Sequence, residues 1–463
     1  MKASTKALTC VMLVVILLTF TLWRHNTLPD ISGFVEFVQD TAGRINTLSA
    51  YKPENLLTAP RPSDENADFP EYELSEPLDA ELEELLCNAL RQHEFSVDVS
   101  SYHKTVDEIR QAMTAVRFSH PELFFVDQEY TYSYTGNYVT GLNFRYITGS
   151  KAEADTLIAE YETMLAEIVS GAPQDGSDFD KMLYIHDYFV REFCYDYTYT
   201  IRDAYTFFKE RTGVCQAYML AMIAVAEELG LQSVPVTSRR MNHAWNMIEL
   251  DGVWYHVDIT WDDTVSYPGH TSYRYFLQSD AGMVNIDSAQ IDESMAVPDW
   301  HCDWSSTVSA TDTRYDAAAW RNARTPIVKG NGQYHCVVST AESGVSNVYG
   351  FVYIGAEPAN MTQSFAVNGT WRLPDGAHYY VECYAGLAVY GNELLYNTPN
   401  SIRAHDLTTG EDRLVALDMT LGSRSIYGCL GVTEGGELSC VVAHTAAPEE
   451  GYPDYEIKTY QIS

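Results

Sequence analysis

Three words along one stretch decide how this chain is read: Thr212-Gly213-Val214-Cys215-Gln216-Ala217-Tyr218, Asn242-His243-Ala244-Trp245-Asn246 and Trp254-Tyr255-His256-Val257-Asp258. The first word runs into a near-continuous apolar segment, Ala217 to Ala226, that stops before Gly230. A helix apolar on all sides is a buried one, and a glycine just past its end is a natural C-cap. The central helix of a domain is therefore predicted here, starting at Gly213 with Thr212 as its cap. Strands are predicted over 232–238, 242–250 and 253–261. Asp251-Gly252 is a two-residue hairpin signal between the last two. It pairs Leu250 with Val253, which sets Trp245 opposite Asp258 and puts His243 diagonally beside Asp258 on the same face. Diagonal neighbours are about 7–8 Å apart at the backbone, within reach of an imidazole and a carboxylate. A slip of one residue would send them to opposite faces.

Cysteine, histidine and carboxylate are the groups that acyl transfer requires: a thiolate nucleophile, a base, and a partner that orients the base. A cysteine in the first turn of a helix meets the positive end of the helix dipole, which favours thiolate. Gly213 lets the backbone turn and approach a substrate. The N–H groups at the helix start, that of Cys215 included, are candidates for an oxyanion hole. The plainer fate of a lone helical cysteine is a buried structural thiol. The words GVC, HAWN and WYHVDITW, in the order Cys215, His243, Asp258, resemble the transglutaminase-like superfamily, a branch of the papain-like cysteine enzymes, over roughly 179–280.

That resemblance implies an α+β fold with a papain-like, transglutaminase-like core. It implies a thioester on Cys215, His243 as base and later acid, and Asp258 as the group that fixes the histidine tautomer. It favours His243 over His256 as the base. It also implies an aromatic oxyanion donor about twenty residues before the cysteine: Tyr195 matches, with Tyr197 and Tyr205 competing. Trp245 is expected to shield the pair, as an alternative to plain core packing. Peptide hydrolysis, glutamine–lysine cross-linking and deamidation all use this chemistry. Hydrolysis of peptide or protein amides is favoured because a thioester in an open site meets water more often than a positioned amine. The rival is a non-catalytic cell-surface binding or scaffold protein with a degenerate core. Acetyl transfer would need a nucleotide-bearing cofactor.

The rest of the chain sets the frame. At 463 residues, two or three domains are expected. Against 29 Lys and Arg stand 64 Asp and Glu, a net charge of −35, which repels phosphate backbones and argues against nucleic-acid partners. There is no P-loop and no dinucleotide fingerprint, so no cofactor is expected. Cys194, Cys215, His243 and His270 lack a short ligand pair, so no metal is expected. The nine cysteines show no CxxC pair; mostly free thiols are predicted, with room for a bridge or two towards the C-terminus.

Lys2 and Lys6 precede an apolar run from Ala7 to Trp23. An uncleaved signal-anchor is favoured over a cleaved signal peptide for residues 1–25, leaving the rest outside the cell. Membrane contact is expected through that segment alone. Residues 26–77 read as a Pro-rich acidic tether. A small α+β module is predicted over 78–150, the catalytic core over 151–305 and a β-rich region over 310–463. The module's Thr105-Val106-Asp107-Glu108 has the form of a capping box. In the β-rich region Cys336-Val337-Val338 and Cys440-Val441-Val442 recur, and Leu387 to Gly410 resembles one β-propeller blade. Some 150 residues hold too few such units to close a propeller, so imperfect repeats in a compact β domain are expected. Partners should be a peptide or protein substrate, with cell-envelope components beside it.

Overall fold

The computed structural model describes residues 79–263, 271–288, 301, 303–323, 325–340, 349–367, 385–444 and 455–462. The apolar run, the tether, His270, Cys302 and Cys383 lie outside them. No helix among the described residues is long and apolar enough to cross a membrane. The described elements all fall in one unit, Pro53–Ser463.

Its first elements gather on their own apolar cluster. Helix α1 (Ala80–Arg91) is capped by Asp79, and α2 (Val106–Ser119) by the Thr105–Glu108 capping box, formed in both directions. They pack on an antiparallel sheet of order β1-β3-β2, made of β1 (Ser96–Asp98), β2 (Val126–Thr135) and β3 (Tyr138–Tyr146). Gly136 takes a positive φ of 62° in the turn that pairs Thr135 with Tyr138. Leu86, Val116, Leu142 and Phe125 are among the side chains sealed in this cluster.

Two amphipathic helices follow, α3 (Lys151–Ser170) and α4 (Asp178–Glu192). A short α5 (Ala204–Glu210) comes next; its seven residues are too few to show a period in the sequence. Two short parallel strands, β4 (Cys194–Tyr195) and β5 (Thr212–Gly213), lead into α6 (Cys215–Glu228). All ten residues from Ala217 to Ala226 are buried, as their composition requires. Gly230, at φ 76°, ends the helix, with Gly230 N–H donating to the Glu227 carbonyl and Leu231 N–H to that of Ala226. The start differs from expectation. Val214 is the N-cap, with no side-chain cap bond, and Thr212 pairs instead with Cys194 in the parallel bridge.

Gly213 also has a different role from the one its flexibility suggests. A Cβ there would stand 2.6 Å from Phe207 Cδ2 and 2.7 Å from the Ala217 Cβ. Glycine is needed because α5 and α6 close on this strand. Gly213→Ala is expected to cost about 1–3 kcal/mol by overpacking, read as a lowered urea midpoint.

Across α6 lies an antiparallel sheet of order β6-β7-β8-β9: β6 (Ser233–Ser238), β7 (His243–Leu250), β8 (Val253–Val257) and β9 (Phe276–Gln278). The Asp251-Gly252 turn has positive φ at both residues and sets the pairing from Leu250↔Val253 to Asn246↔Val257, the register that its chemistry specifies. The strand expected over 253–261 stops at Val257. Asp258 instead caps a one-turn helix α7 (Ile259–Asp262), accepting the Trp261 N–H. The β-branched and aromatic run there reads as strand, and the capping preference of aspartate overrides it. Helix α8 (Asp280–Ser288) completes this layer.

The C-terminal region holds three antiparallel meanders in chain order. The first comprises β10 (Val328–Gly330), β11 (Gln333–Thr340), β12 (Tyr349–Gly355) and β13 (Thr362–Val367). The second comprises β14 (Leu387–Tyr390), β15 (Glu393–Asn397), β16 (Ser401–Asp406) and β17 (Asp412–Leu417). The third comprises β18 (Arg424–Val432), β19 (Glu437–His444) and β20 (Tyr455–Gln461). The two Cys-Val-Val words fall at equivalent places, β11 and β19, each the second strand of its sheet. Val337, Leu394 and Val441 bring all three sheets into one cluster, while Tyr334, Cys336 and Val338 on the alternate face of β11 join the cluster around α6. The six described cysteines are free thiols; Cys429 and Cys440 face each other across β18 and β19 with their sulfurs 3.6 Å apart.

Candidate active site

Cys215 is the first residue of α6 and His243 the first residue of β7. Asp258 follows directly on β8. Cys215, His243 and Asp258 are 2%, 1% and 0% exposed. His243 Nε2 lies 2.6 Å from Asp258 Oδ2. Cys215 is the second side chain that acts on the His243 imidazole, and with Nε2 given to Asp258 the ring nitrogen left for the sulfur is Nδ1. Burial disfavours a charged imidazole. The Asp258 carboxylate and Cys215 outweigh it and lift His243 to about 10. Burial likewise opposes ionisation of Asp258, yet His243, aided by His301, holds it well below the usual carboxylate range.

His243, raised above its ordinary 6.5, contributes stability that is complete below pH 6.5 and lost as pH rises through about 10. Asp258, depressed from 3.8, contributes stability above that value and loses it in acid. The gap in thermal midpoint between wild type and Asp258→Asn is therefore expected to be widest between these limits and to narrow from pH 6 to pH 10.5. A gap that stays constant over that range contradicts the buried ion pair.

HAWN is explained residue by residue. Alternation sends Ala244 into the cluster around α6, and the Asn246 side chain donates to the Met219 carbonyl in that helix. Trp245 stacks near His243, ring centroids 5.5 Å apart at 22°, and its Nε1–H donates to His256 Nδ1. His256 Nε2 in turn donates to Asp280 Oδ1. That tautomer, with Nδ1 accepting, ties His256 to orienting Trp245 and leaves it engaged at both nitrogens.

Tyr195 is buried, pairs with Gly213 in the short parallel ladder, and lies within electrostatic range of Cys215. Burial first, then Cys215 and the neighbouring tyrosines, push its phenol far above the ordinary value, so it keeps its O–H. Tyr197 is pushed up to about 12, by burial first and then by Asp263. Tyr205 turns away, donating to Glu160 and stacking on Phe124.

Sequence reasoning missed one member of this group. His301 Nε2 lies 2.8 Å from the same Asp258 Oδ2 that His243 engages. The donor atoms of His243, Asp258 and His301 fall within 4.8 Å of one another, a spacing compatible with a metal ion. The contacts themselves argue otherwise: at 2.6 and 2.8 Å these are N–H···O⁻ distances. Ligands on one tetrahedral zinc, each about 2 Å from the ion, would sit further apart than that. The group is built to hold protons. No local pattern around His301 announces it, because its partner lies 43 residues earlier.

Residues 162–259 match the family profile described as the transglutaminase-like superfamily. Tyr195, Cys215, His243, Trp245 and Asp258 lie inside that span and His301 lies outside it. Among solved structures, one titled "Crystal structure of a TGase" aligns at 13% identity with a TM-score of 0.24, over 39% of this chain and 56% of that one. No curated protein is significantly similar to the chain.

Proposed function

We propose that the chain, whose residues 162–259 match the profile of the transglutaminase-like superfamily, is a cysteine-dependent amide acyl hydrolase or acyltransferase acting through Cys215, His243 and Asp258. The observation that carries this reading is His243 held between Asp258, at 2.6 Å, and Cys215 at a helix start. In the reaction the Cys215 sulfur adds to the amide carbon. The carbon–nitrogen bond then breaks as His243 protonates the leaving amine, giving a thioester. Water or an amine next adds to the thioester carbon, gives its proton to His243, and expels the sulfur. Asp258 accepts the Nε2–H throughout, which keeps Nδ1 facing sulfur and stabilises the imidazolium. The backbone N–H of Cys215 and the Tyr195 hydroxyl are the candidate oxyanion donors.

The burial of the site bears on substrate. The preference for hydrolysis rested on an open site, whereas Cys215 is 2% exposed. A slender side-chain carboxamide reaches such a sulfur with less displacement than a main-chain amide flanked on both sides by chain. That supports glutamine or asparagine side chains of peptides and proteins as acyl donors. The apolar N-terminal run and acidic tether support a membrane-anchored, extracellular setting.

Incubating the protein with a peptide library, with and without a primary amine, tests the reading by mass. Transfer to the amine adds the amine less 17 mass units, deamidation adds one, and hydrolysis of the main chain cleaves the peptide, about what thioester chemistry requires. None of these changes, in protein whose Cys215→Ala variant behaves identically, leaves the non-catalytic scaffold reading instead.

A further inference from the structure

Asp258 receives more than a two-member arrangement needs. Its Oδ1 accepts the Trp261 N–H at 3.2 Å, and its Oδ2 accepts from both His243 and His301. An ionised carboxylate only accepts, so both imidazoles must present a protonated Nε2 to it. All three side chains are at most 1% exposed, so bulk water does not supply the second donor in place of His301.

The setting of His301 is itself built. Its ring centroid lies 4.7 Å from that of Trp261, 4.8 Å from Trp245 and 5.1 Å from Tyr275, an aromatic cage that fixes the plane of the imidazole. Four residues on, Ser305 exchanges both backbone hydrogen bonds with Thr237 in β6, which anchors this segment beside the sheet that carries His243. Trp245 belongs to both surroundings, lying against His243 on one side and His301 on another.

Resting on the proposed function, we infer that His301 is a positioning residue for the acyl-transfer site: its Nε2–H locks the Asp258 carboxylate in the rotation that orients His243 towards Cys215. Without that donor, Oδ2 is held by His243 alone, and the rotation of the carboxylate rests on the 3.2 Å Trp261 N–H contact at Oδ1, so the imidazole is held less firmly. The donor also shares the charge of Oδ2, so Asp258 pulls less strongly on the His243 proton and leaves it available to the departing amine. His301 touches no reacting atom; it acts through Asp258.

The test uses the full chain and iodoacetamide, with alkylation of the Cys215 peptide followed by mass spectrometry from pH 5 to pH 9. The charged and titratable groups around the sulfur and its partners are His243, Asp258, His301 and Tyr195, with His256 and Asp280 behind Trp245. His301→Phe keeps a ring in the cage and removes the donor; His301→Gln keeps a donor. His301→Phe is expected to slow alkylation at pH 6 about tenfold, the worth of one hydrogen bond to a charged group, and to change the shape of the pH profile. His301→Gln is expected to recover most of the rate.

If wild-type Cys215 reacts quickly at pH 6 but both variants match it, the positioning role falls while the catalytic reading stands. Equal losses in both variants, with unchanged thermal midpoints, also overturn it, since ring shape and not the N–H would then matter. If wild-type Cys215 reacts no faster than an ordinary thiol and His243→Ala changes nothing, the catalytic reading itself fails. A second measurement needs no variant to fold. In histidine-labelled wild-type protein, His243 and His301 should each show a protonated, slowly exchanging Nε2–H, and a His301 with bare Nε2 overturns the inference.

Discussion

Replacing His243 with alanine is expected to slow alkylation of Cys215 at pH 6 by at least about a hundredfold, the lower end of what a positioned acid–base group supplies. In the native site the imidazole is raised to about 10 by Asp258 and Cys215 against the opposing effect of burial, so at pH 6 it carries its proton. A buried imidazolium beside a sulfur favours the thiolate by charge, and the start of α6 adds the field of the helix dipole. Alanine removes the nearby charge and leaves only the helix. The fall should be steepest at low pH, where an ordinary thiol is protonated, and smaller near pH 9. His256→Gln provides the contrast: His256 is committed to Trp245 and Asp280, so its loss should disturb packing more than the pH dependence of alkylation. Equal pH profiles for wild type and His243→Ala would contradict the site as described.

A second large effect is expected far from the sulfur. Arg321 donates to six backbone carbonyls: Tyr315, Asp316, Tyr273, Arg274, Phe276 and Leu277, at 2.8 to 3.2 Å. The guanidinium thereby joins β9 and the chain leading into it to the segment that enters the β-rich region. Its plane also lies over the Trp320 ring at 4.9 Å, and Trp320 is fully buried beside Phe179 and Phe276. Arg321→Met fills much of the volume but removes the donor these carbonyls share; those of Tyr315, Tyr273 and Arg274 keep a second bond, from Ala318 N–H, Phe276 N–H and Gln278 Nε2. A buried acceptor left without a donor costs about 1–3 kcal/mol, and the carbonyls that keep a second donor lose less. The net loss is expected at about 3–5 kcal/mol, seen as a large drop in the urea midpoint. Arg321→Lys should recover little of it, because one ammonium replaces a planar fork of five N–H donors. A shift of the midpoint within the error of wild type would refute this account of Arg321.

The two effects differ in how far the sequence foretold them. His243 and Asp258 were legible because a two-residue turn fixes a register, and a register fixes which side chains share a face. The end of β8 was not legible: a run of β-branched and aromatic residues hides the point where Asp258 leaves the ladder and caps α7. Gly213 was seen, but for its backbone freedom. Its need is steric, set by Phe207 and Ala217, and such a contact appears only once α5 and α6 are packed. In the β-rich region the repeated Cys-Val-Val words mark equivalent strands. Their alternation carries no sign that the first sheet turns one face to the α6 core and the other to its neighbours.

By itself, then, the sequence determined what local rules determine: the buried helix that Cys215 opens, its glycine end, and the hairpin that brings His243 to Asp258. The tertiary structure alone decided what closes the site. His301 reaches Asp258 across 43 positions, and Arg321 reaches carbonyls 44 to 48 positions away. Periodicity and turn chemistry act over a few residues, whereas the second hydrogen bond on a buried carboxylate is fixed only when distant segments pack against one sheet.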